Sequence, residues 1–216
     1  MNFDKDMLKG RVANVYVSKY PDLSYKGDDY MVCKQANELN VDLQGIQADR
    51  HYGFEAKAGG RCKRLYQQDQ VFRNNRQWSA IAREEVASID QKLALNGALS
   101  PEMLGINLLV DGVPDLSRLP LSAGLKYFVI SPHSEEYRPG RPEDVVLVAY
   151  AQMIPCLVQG KGIAAELNDP ALASKFPKAA MSEGKIAERG IAGWVEKGGI
   201  IKPGNLLWIL NANGRD

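Results

Sequence analysis

The sequence predicts a mainly β protein with helical decoration (α+β), built as a β-barrel in one domain spanning residues 1–216. Short runs of β-branched and aromatic residues recur along the chain, bounded by glycine and proline turns. Only one long stretch carries a clean helical period. No linker, internal repeat or low-complexity tract divides the 216 residues.

Arg11-Val12-Ala13-Asn14-Val15-Tyr16-Val17-Ser18 reads as the first strand, and Tyr30-Met31-Val32-Cys33 as a shorter second one. From Gly45 to about Arg76 the chain is polar and glycine-bearing with no period, which predicts a functional loop. Ser79 to Leu95 reads as the helix. Ile81, Glu85-Val86, Ile89 and Leu93 keep one apolar face, Ser79 caps the start and Asn96-Gly97 ends it. Strands follow at Asn107–Val110, stopped by Asp111-Gly112, and at Lys126–Ile130. Residues 132–142, rich in proline, glycine and charge, read as an exposed excursion. Val145–Ala151 is apolar enough that both faces should be covered. Ile163–Phe176 has helical spacing broken by Pro170. Gly193–Val195 and Leu206–Leu210 read as two strands joined through Gly198-Gly199 and Pro203-Gly204.

Composition excludes several classes of function. A net charge of +1 gives no electrostatic basis for binding nucleic acid. No apolar run approaches the roughly 20 residues that span a bilayer, so no membrane partner is expected. Met1-Asn2-Phe3-Asp4-Lys5-Asp6 lacks the apolar segment of a secretory signal, and cytoplasm is the expected location. Cys33, Cys62 and Cys156 are too scattered for a disulfide framework or a zinc pattern. With His51 and His133 as its histidines, the chain is not expected to build a zinc centre on several histidines.

Two segments carry the chemistry. Pro155-Cys156 puts a thiol just beyond a buried strand, on a turn that proline helps to fix. A reactive or ligating thiolate needs exposure and a nearby cation such as Lys161; the alternative is a small buried hydrophobe, the more common state of a free cysteine. Cys33 and Cys62 take that second reading. The other segment is Gly45-Ile46-Gln47-Ala48-Asp49-Arg50-His51-Tyr52-Gly53. Here Arg50 can clamp a phosphate and His51 can donate to an oxygen or tune a ligand; the alternative is a solvated turn in which Asp49 caps amides. Gly59-Gly60-Arg61-Cys62-Lys63-Arg64 is a basic cluster that fits an anion or a solvated loop. Arg189-Gly190 precedes a strand and faces either pocket or solvent. Glycine-rich nucleotide loops and a Gly-x-Ser-x-Gly elbow are missing from the sequence. The carboxylate pairs Glu84-Glu85 and Glu135-Glu136 read as solvated faces.

Taken in order, these segments resemble the MOSC family, named for the C-terminal domain of molybdenum cofactor sulfurase. The resemblance runs from about Gly10 to Leu210. It rests on the Gly45–His51 loop, Arg76-Gln77, Gly105-Ile106-Asn107-Leu108, Leu121 to Gly124, the strand leading to Pro155-Cys156, Arg189-Gly190, and Val195-x-x-x-Gly199-x-Ile201-x-x-Gly204. The chain departs from the family where Ala48 replaces glycine, Ile106 replaces glutamate and Asn205 replaces aspartate.

The resemblance implies a closed β-barrel holding molybdenum cofactor (molybdopterin), with Cys156 as thiolate ligand to the metal and Asp49 and His51 beside it in catalysis. Arg50, Gly53, Arg76, Asn107, Lys161, Arg189 and Gly190 are its implied cofactor-binding residues. It further implies reduction of an N-hydroxylated small-molecule substrate with electrons from a separate reductase. The alternatives are sulfur transfer through a Cys156 persulfide, and a non-catalytic carrier that passes the cofactor to an acceptor enzyme.

Overall fold

A computed structural model describes residues 7–22, 27, 29, 31–59, 65–121, 124–132, 136–138, 140–182 and 186–211. Tyr30, Cys62, His133, Glu135 and the rest of the basic cluster from Gly60 to Arg64 lie outside the described residues.

The chain opens with the long strand β1 (Leu8–Ser18), then β2 (Cys33–Ala36), β3 (Leu39–Asp42) and β4 (Gly45–Ile46). A small antiparallel hairpin, β5 (Glu55–Lys57) and β6 (Val71–Arg73), interrupts the stretch expected to be all loop. Next come β7 (Trp78–Ala82), α1 (Arg83–Leu93), β8 (Leu108–Asp111), β9 (Lys126–Ser131) and β10 (Val145–Gln152). Helices α2 (Leu157–Glu166) and α3 (Leu172–Ala179) precede β11 (Ile191–Lys197), β12 (Gly199–Ile201) and β13 (Leu206–Asn211).

Hydrogen-bonded neighbours run β1-β13-β9-β10-β11-β7-β8 and return to β1, closing a seven-stranded barrel. Every pairing in it is antiparallel except β7 with β8. β2 extends from the far half of β1, and β3, β4 and β12 form a separate small sheet. The predicted class, mainly β with helical decoration in a closed barrel, is the one observed.

Closure follows from alternation along the strands. Val12, Val15, Trp78, Ala80, Phe128, Leu147, Val195, Leu207 and Ile209 point inward and fill the barrel. Opposite side chains such as Tyr16, Ile81 and Leu109 face outward, where α1, α2 and α3 cover them with Ile89, Ile163 and Phe176. Each fully buried side chain of this size contributes roughly 1.5–3 kcal/mol.

Two expected boundaries are corrected. Ser79 to Leu95 is not one helix: Trp78–Ala82 is a fully buried strand, and the helix begins at Arg83. Ile81 sits four and eight residues before Glu85 and Ile89, so it continues a helical period. It reaches the same outer core from a strand. Ser79 therefore caps nothing; the cap residue is Ala82, whose N–H donates to Glu85 Oε2 at 3.0 Å. At the other end α1 stops at Leu93, and Ala94 takes the left-handed conformation ahead of Asn96-Gly97. The two expected C-terminal strands are both found, apart from each other in the barrel. β11 lies between β10 and β7, and β13 between β9 and β1. β12 splits off to pair with β3, helped by Gly198, where a Cβ would collide with the Val41 carbonyl. The break at Pro170 is found where predicted, between α2 and α3. β10 is covered on both faces for most of its length, but Tyr150 is exposed and meets Trp194 at 6.0 Å between ring centroids.

Candidate functional site

Asp49 is the most heavily bonded of the predicted residues. Ala48, with φ +61°, turns the chain left-handed just before it, which explains why glycine suits that position in related sequences. The turn drives the Asp49 carboxylate under the end of β1. There Oδ2 accepts from the Ser18 N–H at 3.1 Å, the Ser18 hydroxyl at 3.0 Å and Asn107 Nδ2 at 2.9 Å. Oδ1 accepts from the His51 N–H at 2.9 Å and from His51 Nδ1 at 3.2 Å. Burial acts to raise the carboxyl pKa, but the hydrogen bonds from His51 and Ser18 outweigh it and bring it down to about 2. Asp49 is thus ionised at neutral pH, so Nδ1 of His51 carries the proton and Nε2 carries the lone pair. Burial and the Arg76 guanidinium push the imidazole pKa below its ordinary value, against the pull of Asp49. His51 is then neutral near pH 7, and Nε2 is left as the ring acceptor.

The rest of this loop is scaffolding. Asn74 Nδ2 donates to the carbonyls of His51 and Gly53 at 2.7 and 2.9 Å, and Gln77 ties Leu43 and Gly53 to the Val195 N–H. Gly53 therefore contributes a carbonyl to loop closure. Arg50 donates from its backbone to Ser18 Oγ at 3.0 Å, and its guanidinium reaches the carbonyls of Tyr20 and Asp22 at 3.4 and 3.2 Å. Those bonds turn Arg50 toward the chain after β1. Arg76 is half-buried, next to His51.

Cys156 is the N-cap residue of α2, half-buried, in extended conformation and with no side-chain capping bond. Its carbonyl accepts from the Gly160 N–H at 3.1 Å, which starts the helix. The thiol stands at the start of a ten-residue helix, an end where the helix dipole favours negative charge. One turn on, the fully buried Gln159 accepts from Arg189 Nη2 and donates to the Met103 carbonyl. The same Nη2 donates to the Leu104 carbonyl at 2.9 Å. Arg189 is 1% exposed, so it braces α2 from within and does not face solvent. Gly190 has φ +90°, and a Cβ there would collide with the Ala80 carbonyl. Lys161 is exposed on α2.

The two groups approach each other at Cys33. Burial pushes its thiol pKa up, the Asp49 carboxylate adds to the rise, and the guanidiniums of Arg189 and Arg76 oppose it. Asp49, bonded to His51 and Asn107, and the guanidiniums of Arg76 and Arg189 thus all act electrostatically on Cys33, while Gln159, three residues after Cys156, bonds Arg189. Ser18 and Gln159 were not singled out from the sequence, because an isolated serine or glutamine gives no pattern. Ile106, which replaces the family's glutamate, is fully buried in the outer core, where a lone carboxylate would lack water. A groove of about 630 Å³ is lined by Phe54, Phe72, Arg73, Asn74, Gln77 and Trp194 among others. It takes no wall from α2 or from Arg189.

Comparison with known proteins decides the family. The MOSC domain family matches residues 67–207. The chain belongs to the MOSC family. A Bacillus subtilis (strain 168) relative, named "Putative metal-sulfur cluster biosynthesis proteins YuaD", is 31% identical over 179 residues, 82% of each chain. The crystal structure of the Bacillus subtilis YuaD protein is similar to this MOSC protein with a TM-score of 0.75 and 27% identity, covering 95% of this chain and 97% of that one. YiiM from Geobacillus stearothermophilus shares the fold, with a TM-score of 0.54 at 14% identity over 95% of this chain and 77% of its own. Among the described residues no helix is long and apolar enough to cross a membrane.

Among the described residues no three His, Cys, Asp or Glu side chains gather into a metal site. A metal-sulfur cluster bound by protein thiolates calls for several such ligands. Molybdenum cofactor brings its own dithiolene and needs only one soft protein donor, a demand that Cys156 meets. The residues present fit that group at the thiolate. For its anionic end the described residues include the cations Arg50, Arg76, Lys161 and Arg189, of which Arg50 and Arg189 reach protein carbonyls.

Proposed function

We propose that this MOSC protein binds molybdenum cofactor through the Cys156 thiolate and reduces N-hydroxylated small molecules. The observation that carries the reading is the half-buried thiol at the start of α2, in a chain whose described residues offer no multi-ligand metal site. Bound there, the cofactor supplies two-electron chemistry that no side chain provides. Cys156 holds the metal, Arg76 and Lys161 meet the anionic end, and Asp49 orients His51 so that Nε2 accepts a proton or hydrogen bond. Cleaving the N–O bond consumes two electrons and two protons and yields an N–H compound and water. The electrons come from a separate reductase.

A second reading is favoured by the name of the YuaD relative, which points to metal-sulfur assembly. In it, Cys156 takes the outer sulfur of a persulfide donor, releasing the donor's thiolate, and would hold it for desulfo-cofactor, with two electrons from a separate reductant bringing it to the sulfide level and freeing the Cys156 thiolate. A carrier with no turnover is the remaining outcome. Protein from a host that makes the cofactor should contain molybdenum near one atom per chain, and Cys156→Ser should lack it. Full metal content in Cys156→Ser ends the thiolate reading. Holo protein that turns over no N–O substrate but accumulates Cys156 persulfide moves the assignment to sulfur transfer. Free exchange of the cofactor with an acceptor enzyme, without either chemistry, leaves the carrier.

A further inference from the structure

Glu85 was expected on a solvated face beside Glu84, yet it is 6% exposed. Its carboxylate turns back into the protein. Oε2 accepts from the Ala82 N–H and closes the start of α1, while Oε1 accepts from the Ser117 N–H at 2.6 Å. Ser117 is fully buried in a short 3-10 turn, Leu116–Arg118, and bonds in two further directions. Its Oγ accepts from the Gly190 N–H at 2.7 Å, and its carbonyl accepts from Gln152 Nε2 at 2.6 Å.

One residue thus touches three elements: the start of α1, the end of β10 and the entry to β11. Gln152 closes β10 four residues ahead of Cys156. Gly190 directly follows Arg189, which braces α2 through Gln159. Next to it, Glu188 accepts from Arg118 and from Lys92, each at 2.6 Å, and this ties the same turn to α1 a second time. This polar junction lies where the Cys156 and Arg189 segments leave the strands, beside Leu116, which packs into the barrel core.

We infer that Ser117 and Glu85 form a buried positioning unit that fixes the segment leading to Cys156 and the segment carrying Arg189 against α1. The inference rests on the proposed function only in naming Cys156 and Arg189 as site residues. Neither Ser117 nor Glu85 is a catalytic residue; each acts through the two segments it holds.

The test reads the Cys156 thiol directly and needs no metal. Alkylation of Cys156 by iodoacetamide at one fixed pH is followed by peptide mass mapping in the wild type, Ser117→Ala, Gln152→Ala and a barrel-core control, Val195→Ala. Loss of one hydrogen bond at the junction should speed alkylation about two- to ten-fold, the change equivalent to a single such bond. Val195→Ala should leave the rate unchanged despite lower stability. Gln152 is half-buried, so Gln152→Ala keeps the test open if Ser117→Ala does not fold. Equal rates in the wild type and the junction variants, or equal acceleration in Val195→Ala, would overturn the inference. Such a result leaves the cofactor reading standing, because that reading is decided by the molybdenum content of Cys156→Ser.

Discussion

Asp49 accepts five hydrogen bonds among the described residues, from a strand end, a second strand's entry and its own loop. Cys156 starts a helix with no side-chain capping bond and keeps part of its surface open. The contrast separates two uses of polar residues near one region. Asp49 is saturated, so its worth lies in fixing His51 and the end of β1. Cys156 is half-buried at a helix start and does not cap it with its side chain. A carboxylate with its acceptor sites filled serves to orient its neighbours, whereas the reactivity of a thiol depends on its exposure and surroundings.

The sharpest way to break this contrast is truncation on both sides. Asp49→Ala should destabilise the fold by about 3 kcal/mol or more, because it strands several buried donors at once. Cys156→Ala should change stability by less than about 1 kcal/mol. Urea midpoints measure both, and comparable losses would dissolve the distinction.

Arginine substitutions come next. Arg189→Ala removes a buried guanidinium from the Leu104 carbonyl and Gln159, and should lower stability by about 2–4 kcal/mol. Arg189→Lys should not rescue it, because an ammonium lacks the planar fork. Arg50→Ala should lose about 1 kcal/mol or less, since its guanidinium contacts lie at the edge of the loop. A larger loss in Arg50→Ala than in Arg189→Ala would reverse the assignment of brace and rim.

These pairs also show which features a sequence can reveal. The barrel strands were legible because inward side chains alternate and glycine turns bound them, as in Lys126–Ser131 and Val145–Gln152. The entry to α1 was not, because Ile81 keeps the helical period while sitting in a strand. Cys156 and the Asp49 loop were legible as candidates through the spacing that the MOSC family shares. Their partners were not. Ser18 reaches Asp49 across 31 positions, and Ser117 reaches Gly190 across 73. Long-range polar bonds leave no local period, so the burial of Arg189 had no signal along the chain, whereas Glu85 stands on the apolar face of the helical pattern and only its pairing with Glu84 suggests solvent.

Acid and neutral pH should separate two carboxyls of opposite behaviour. Asp49 has a folded pKa of about 2, below its unfolded value, so its contribution is complete above about pH 4 and disappears as pH falls through 2. Burial raises Glu85 to about 7, against its bonds to Ala82 and Ser117 and with the Glu188 charge adding to the rise. The folded state therefore holds the Glu85 proton more tightly than the unfolded chain. That contribution is complete below about pH 4 and is lost as pH rises toward 7. Arg118 and Lys92 face the same junction through their ion pairs with Glu188. Denaturant midpoints measured against pH should lose their acid limb in Asp49→Asn and their decline toward neutrality in Glu85→Gln. An unchanged profile in Glu85→Gln would mean that its proton is not taken up on folding.

Cys156→Ser carries the smallest expected effect on the fold and the most direct one on function. Serine is a good N-cap, so the hydroxyl can accept from the first turn of α2, and stability should stay within about 0.5 kcal/mol of wild type or rise slightly. As a ligand, serine is harder than cysteine and a weaker donor to a metal already held by sulfur. Cys33→Ser is the matched control. It is buried beside Asp49 with its thiol pKa raised, so it should perturb packing and leave molybdenum content unchanged. Metal analysis and thermal melts on the same two preparations give a two-by-two outcome. The expected pattern is a stable, metal-free Cys156→Ser beside a less stable, metal-loaded Cys33→Ser. The reverse pattern would place the soft donor at Cys33, inside the Asp49 network, and make the start of α2 a structural cap.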